Sequence, residues 1–187
     1  MKTEHLLIMR FTALGEVAML VPVVSSLAQQ YPELRITVLS NPFARPLFDG
    51  IAHNVGFMAA DLNGEYHGVK GLNALYRRLV AKNFTAIADM QSILRSSYLR
   101  MRFNISSYRV EHLDNHRQDR RQLIASKDKR LKQLPSLFDD YTDVLARLGY
   151  NVRLDFQSLF PPTGGNLRLV SDRIGEKKMF QQWIGIA

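Results

Sequence analysis

The chain contains no cysteine, which excludes a disulfide framework and a thiolate metal site and suits a reducing compartment. No apolar run approaches the roughly 20 residues that a membrane-spanning helix needs. The opening residues MKTEHLLIMR do not read as a signal peptide, because the apolar LLIM is cut off at once by Arg10. A cytosolic protein is expected. Glycine is scarce where a nucleotide would want it: the first turn, TALGEV, holds Gly15 alone. A dinucleotide fingerprint needs three glycines, for the turn, the pyrophosphate approach and the helix packing. NAD binding at this end, and with it a nucleotide-dependent oxidoreductase, is therefore the weakest of the readings.

What is present is an ordinary globular composition, 46% hydrophobic and 22% charged over 187 residues, enough for one good core. The formal charge of +8 is concentrated rather than spread. Between Arg95 and Gln133 there are eleven Lys or Arg against four acids, a net of +7. That segment calls for an anionic partner: a phosphorylated ligand, an anionic membrane surface or nucleic acid.

Strand and helix periods alternate along the chain. HLLIMRF reads as a buried strand, followed by a long helix whose Val17, Leu20, Val21, Val24, Leu27, Ala28 and Tyr31 share one face, with Pro22 a place for a kink. RITVLS is the second strand, ARPLFDG a short helix ended by Gly50, NVGFMAAD the third strand, and Leu72 to Val80 a further helix. FTAIADM, SILRSSYLRMRF and ISSYRVE follow as strand, helix and strand. Residues 112–133 show no clean period and are expected to form a loop or lid with a little helix. Ser136 then caps a strong helix that ends at Gly149. This order argues a Rossmann-like, doubly wound parallel α/β sheet. PPTGG has the composition of a linker, and WIGIA beyond it reads as the first strand of a further domain.

Several constellations carry chemistry. Glu16 follows the first strand, where open α/β sheets place their sites, and can be a general base or an acid that serves the helix dipole. Arg10 stands where it can balance that carboxylate. In DMQSILRS, Asp89 and Gln91 are suited to binding hydroxyls and Arg95, a helical turn on, to an anion; a capped, solvated helix start is the plainer alternative. Lys70 lies at a helix start between Gly68 and Gly71, an arrangement that suits phosphate or carboxylate, or is an ordinary surface lysine. His112 and His116 flank a turn-forming LDN, with no further ligand cluster in view, so no metal is expected. Tyr98, Phe103 and Tyr108 are interleaved with arginines, but burial against the sheet explains them more simply than base stacking, and nucleic acid is not the expected partner.

Together, RFTALGEVAMLVPVV, YPELRITVLSNP, FTAIADMQSILRS and WIGIA resemble the lipopolysaccharide heptosyltransferases of glycosyltransferase family 9. The resemblance runs from Leu6 to Ser97 and returns at the end of the chain. It implies the first, acceptor-binding lobe of a two-lobed GT-B enzyme over residues 1–160, an interlobe linker over 161–178, and the first strand of a donor-binding lobe over 179–187. It implies transfer of heptose from ADP-heptose, with inversion and without a metal ion or other cofactor, to a lipid-linked phosphorylated core sugar. ADP-heptose would be held mainly by the second lobe, so this chain alone is expected to lack turnover. Glu16 occupies the position of the proposed general base, where the family usually has aspartate. Arg10, Lys70, Asp89, Gln91, Arg95, Arg120 and Arg121 are the implied acceptor contacts. A cytoplasmic protein, peripheral at the inner face of the inner membrane, follows from the same resemblance. The alternative from a different class is a non-catalytic Rossmann-like module binding nucleic acid or anionic membrane through the basic segment.

Overall fold

The computed structural model describes residues 4–125, 133–158 and 180. Met1–Gln157 form one compact unit and Ser158–Ala187 a second. The interlobe linker and WIGIA, and the boundaries expected at 160 and 178, lie outside the described residues.

Five strands, β1 (His5–Met9), β2 (Arg35–Ser40), β3 (Val55–Ala59), β4 (Ala86–Asp89) and β5 (Arg109–His112), make one sheet in the order β3-β2-β1-β4-β5. Every neighbouring pair is parallel. Side chains alternate across a strand, so Leu6 and Ile8 face one layer of helices while Leu7 and Met9 face the other. All four are fully buried. That is why β1 reads as an unbroken apolar run, and burial stabilises the fold by about 2 kcal/mol for each such side chain.

On the first face lie α1 (Leu14–Ala18), α2 (Leu20–Gln30) and α6 (Leu137–Arg147); on the second lie α3 (Gly68–Val80) and α4 (Leu94–Ile105). The long first helix expected from periodicity is broken at Met19 into α1 and α2. Pro22 is the cause: it has no N–H for the Ala18 carbonyl and its ring crowds that oxygen, but it is well tolerated in the first turn of a new helix. The short helix expected at 44–50 is instead a 3-10 helix over Pro42–Leu47, with Pro46 inside it and Gly50 at φ +77° beyond it. The fifth strand starts later than expected because α4 continues to Ile105 and the chain turns through Ser107 at φ +60°. In the basic segment a helix, α5 (Arg117–Ala125), buries none of its residues. At the start of α6 the Ser136 Oγ accepts from the Asp139 N–H at 3.2 Å, and the Asp139 carboxylate accepts from the Ser136 N–H at 3.0 Å. This reciprocal cap closes both orphan donors. Phe103 is wholly buried, and Tyr98 and Tyr108 pack against the second core cluster.

Candidate functional site

In the order 3-2-1-4-5 the connections reverse direction between β1 and β4, and ligands of such sheets bind at the carboxyl ends of those strands. Met9 and Asp89 are in register there. The Met90 N–H donates to the Met9 carbonyl at 3.0 Å, so the ladder runs one residue past β4. Gln91 then clamps the loop after β1: its Oε1 accepts from the Phe11 N–H at 2.8 Å and its Nε2 donates to the Thr12 hydroxyl. Asp89, fully buried, accepts from the Gln91 and Ser92 N–H groups at 3.1 and 3.0 Å and pairs with Arg100 at 3.4 Å. Gln91 thus holds the loop that leads to Glu16, and Asp89 holds the turn that carries Gln91.

Arg10 is buried just past the end of β1. Its guanidinium donates to the Met90 carbonyl and to Glu16 Oε2, and stands 5.4 Å from the centre of the Tyr141 ring. Glu16 is the third residue of α1, and its Oε2 also accepts from the Ala13 N–H at 3.1 Å. An alanine N-cap has no side chain to give, so the reaching-back carboxylate is the cap's polar half. Burial alone would raise the Glu16 pKa, but the Ala13 N–H and the Arg10 charge outweigh it, helped by Arg120, and hold it below the ordinary value. The Glu16 side chain remains 50% exposed, with no hydrogen bond recorded at Oε1 among the described residues. Beneath it the Tyr141 hydroxyl donates to the Glu16 backbone carbonyl at 3.0 Å. Burial pushes the Tyr141 phenol well above its usual range, so it stays protonated and a donor. The helix-dipole and general-base readings of Glu16 are therefore compatible: one oxygen is structural and the other is open to a reactant.

A cleft of about 750 Å³ lies where β4 and β5 end, lined among others by Ser92, Arg100, His112, Asn115, His116 and Arg147. Burial, with Arg100 beside it, lowers the His112 pKa. A hydrogen bond from His116 Nε2 to Asp140 Oδ1 at 2.8 Å raises that of His116 against the effect of burial. Asp114 closes the turn by accepting from the His116 N–H at 2.9 Å. Among the described residues no three His, Asp or Glu are grouped to hold a metal ion, and no helix is long and apolar enough to cross a membrane.

The remaining candidates are distributed around this edge. Arg120 and Arg121 are exposed on α5, and Arg120 is close enough for its charge to be felt at Glu16. Arg95 Nη1 donates to Asn63 Oδ1 at 2.7 Å, tying α4 to the loop before α3. Lys70, exposed in the first turn of α3, lines a separate depression with Arg77 and Arg102. Thus Arg10, Glu16, Asp89 and Gln91 form one connected group, Arg120 approaches it, and Lys70 and Arg95 stand on neighbouring helix starts. Sequence reasoning missed Tyr141, Arg100 and the His116–Asp140 pair. Tyr141 had a signal: a buried tyrosine in an aliphatic helix stripe needs a partner for its hydroxyl.

No protein-family model matches the sequence, and no curated protein matches it. Solved structures do match in shape. They include a glycosyl transferase family 9 protein from Veillonella parvula, at 17% identity and a TM-score of 0.58 over 84% of this chain and 47% of that one. The E. coli heptosyltransferase WaaC with ADP matches at 17% and 0.56 over 83% of this chain and 50% of its own. WaaC with ADP-2-deoxy-2-fluoro heptose matches at 15% and 0.58 over 83% and 51%. The chain therefore spans about half the length of the structures it matches, and within that half its fold is that of GT-B glycosyltransferases.

Proposed function

We propose that the chain is the acceptor-binding half of an inverting, metal-independent glycosyltransferase that moves heptose from ADP-heptose to a phosphorylated lipopolysaccharide core sugar. The observation that carries this is the Glu16 carboxylate, fixed just beyond β1 through Oε2, with Oε1 unbonded among the described residues and the side chain half exposed. The WaaC structures, with ADP and a fluorinated ADP-heptose, supply the donor class by likeness of fold.

In this reading Oε1 takes the proton of the acceptor hydroxyl as that oxygen bonds to the anomeric carbon. The bond from that carbon to the diphosphate breaks on the opposite face, and its electron pair leaves with ADP. A carboxylate held below its ordinary pKa is a weak base, so the proton moves only as the C–O bond forms and the attacking oxygen becomes acidic. Arg10 does not touch the acceptor; it orients Glu16 and keeps it ionised. The exposed Arg120, Arg121, Lys70 and Arg95 are the cations for the acceptor's phosphates. The same cations suit a peripheral position on an anionic inner membrane face.

Transfer from ADP-heptose by this lobe together with a donor-binding lobe is the test. Glu16→Gln retains an oxygen for Arg10 and the Ala13 N–H, so the fold should persist while transfer is abolished. Absence of transfer to every phosphorylated core acceptor would remove the reading.

A further inference from the structure

We propose that a second cleft, distant from Glu16, binds a phosphate or diphosphate group. It encloses about 310 Å³ along β2 and the edge strand β3, with Thr37, Gly56 and Met58 on the face that α3 flanks and Phe57, which packs against the first core cluster, on the other, a size at the small end of the roughly 300–1,000 Å³ of ligand pockets. Four cations converge on it from separate segments: Arg35 from the start of β2, Arg45 from the 3-10 helix, Arg78 from α3, and Lys82 from the turn after α3. Among the described residues no carboxylate lines it. Among the described residues none of the four enters an ion pair. Like charges gathered without a counter-charge repel one another, and a multivalent anion is what relieves them.

The side chains are partly oriented already. Arg45 lies 5.1 Å over the Phe57 ring and Arg78 Nη1 donates to the Tyr66 hydroxyl at 2.6 Å, which leaves further N–H groups of each fork for a ligand. Three of the four being arginine favours phosphate, whose oxygens match a planar fork. His5 is not a ligand contact, since its ring nitrogens meet the Lys82 carbonyl at 3.2 Å and the Thr37 hydroxyl at 2.9 Å. The floor is open because β3 carries Gly56 opposite Thr37. A Cβ at Gly56 would meet nothing nearer than the Ile36 carbonyl at 3.8 Å, so it is the missing side chain and not a backbone demand that leaves the space. Arg35, in register with His5, stands five strand steps, about 16 Å, from the level of Arg10, and Gly56 opens on the same face as Met58, the second, whereas α1, which carries Glu16, packs on the first. A group bound between Arg35, Lys82 and Gly56 is therefore not the one that reacts at Glu16, and the site is independent of the glycosyltransferase reading.

Two sources share this chemistry, a free phosphorylated small molecule and a lipid phosphate, and the test separates them. The whole chain is titrated calorimetrically with inorganic pyrophosphate and, separately, sedimented with phosphatidylcholine vesicles containing phosphatidic acid. Two variants are compared: Arg35→Gln with Lys82→Gln, which removes charges that hold no recorded side-chain bond, and Gly56→Leu, which fills the floor without changing charge. Pyrophosphate binding that weakens about tenfold or more in each variant, with an unchanged melting temperature and no effect of Glu16→Gln, is the expected result. Vesicle capture lost in both variants, with no pyrophosphate binding, would identify a lipid phosphate as the occupant and also support the site. Binding that persists in Gly56→Leu, or no binding of either probe, would overturn it.

Discussion

Arg10 cannot be buried at the end of β1 unless something neutralises and bonds it, and Glu16, the Met90 carbonyl and the Tyr141 ring together do so. The candidate base is consequently also a stabilising residue, and its pH dependence has a definite sign. The Glu16 pKa in the folded chain lies below the ordinary 4.5. The stabilisation is thus fully present above that value and lost as pH falls through the folded pKa. Thermal unfolding of the Glu16→Gln variant should therefore sit slightly below the parent at neutral pH and meet it in acid; a gap that widens in acid would contradict the pairing. Tyr141→Phe separates support from chemistry. It deletes the hydroxyl that bonds the Glu16 carbonyl but leaves both Oε2 donors in place. A loss of about 1 kcal/mol in denaturant unfolding, with the transfer proposed above, assayed together with a donor-binding lobe, retained, is expected. Transfer as low as in Glu16→Gln would make Tyr141 part of the chemistry instead.

Elements were legible where one periodic signal dominated and less so where two rules competed. The apolar run of β1, the Ser136 cap and the Gly149 stop of α6 announce themselves because each is decided within a few residues. The break at Met19 is decided three residues away by Pro22, and the 3-10 helix by two prolines that outvote the apolar spacing. α5 was indistinct for a different reason: with no buried residue it has no apolar stripe to read. Its N-terminal attachment is polar, since His116, just before it, bonds Asp140 of α6 and faces Asp119 at 3.8 Å, with Asp114 also raising its pKa. A raised pKa means that this contact contributes fully below the unfolded value of 6.5 and fades as pH rises through the folded one. Amide exchange in α5 should accordingly quicken between mildly acidic and mildly alkaline solution beyond the intrinsic rate change, while α6 stays protected. His116→Gln should remove that extra dependence; an α5 equally protected at both ends would show that other contacts hold it.

At the scale of the molecule, the doubly wound sheet was readable from the alternation of elements, and the residues at the strand ends could be placed on one edge by topology alone. Which of them face a ligand was not readable. In sequence Asp89 and Gln91 read as hydroxyl-binding groups, and in the structure Asp89 meets Ser92 of its own turn and Arg100, while Gln91 meets Phe11 and Thr12, brought in by the fold. The cations divide in the same way: Arg10 and Arg100 are drawn into the structure, whereas Arg120 and Arg121 project from a helix that buries nothing. Exposed charges act on an anionic acceptor through water and are screened within about 8 Å at physiological salt, so Arg120→Gln with Arg121→Gln should weaken binding of a phosphorylated core acceptor most at low salt and flatten its salt dependence. The melting temperature should not move, because neither side chain supports the core. Affinity and salt slope both unchanged would mean that α5 does not meet the acceptor, and would leave its phosphates to Lys70 and Arg95 at the starts of α3 and α4.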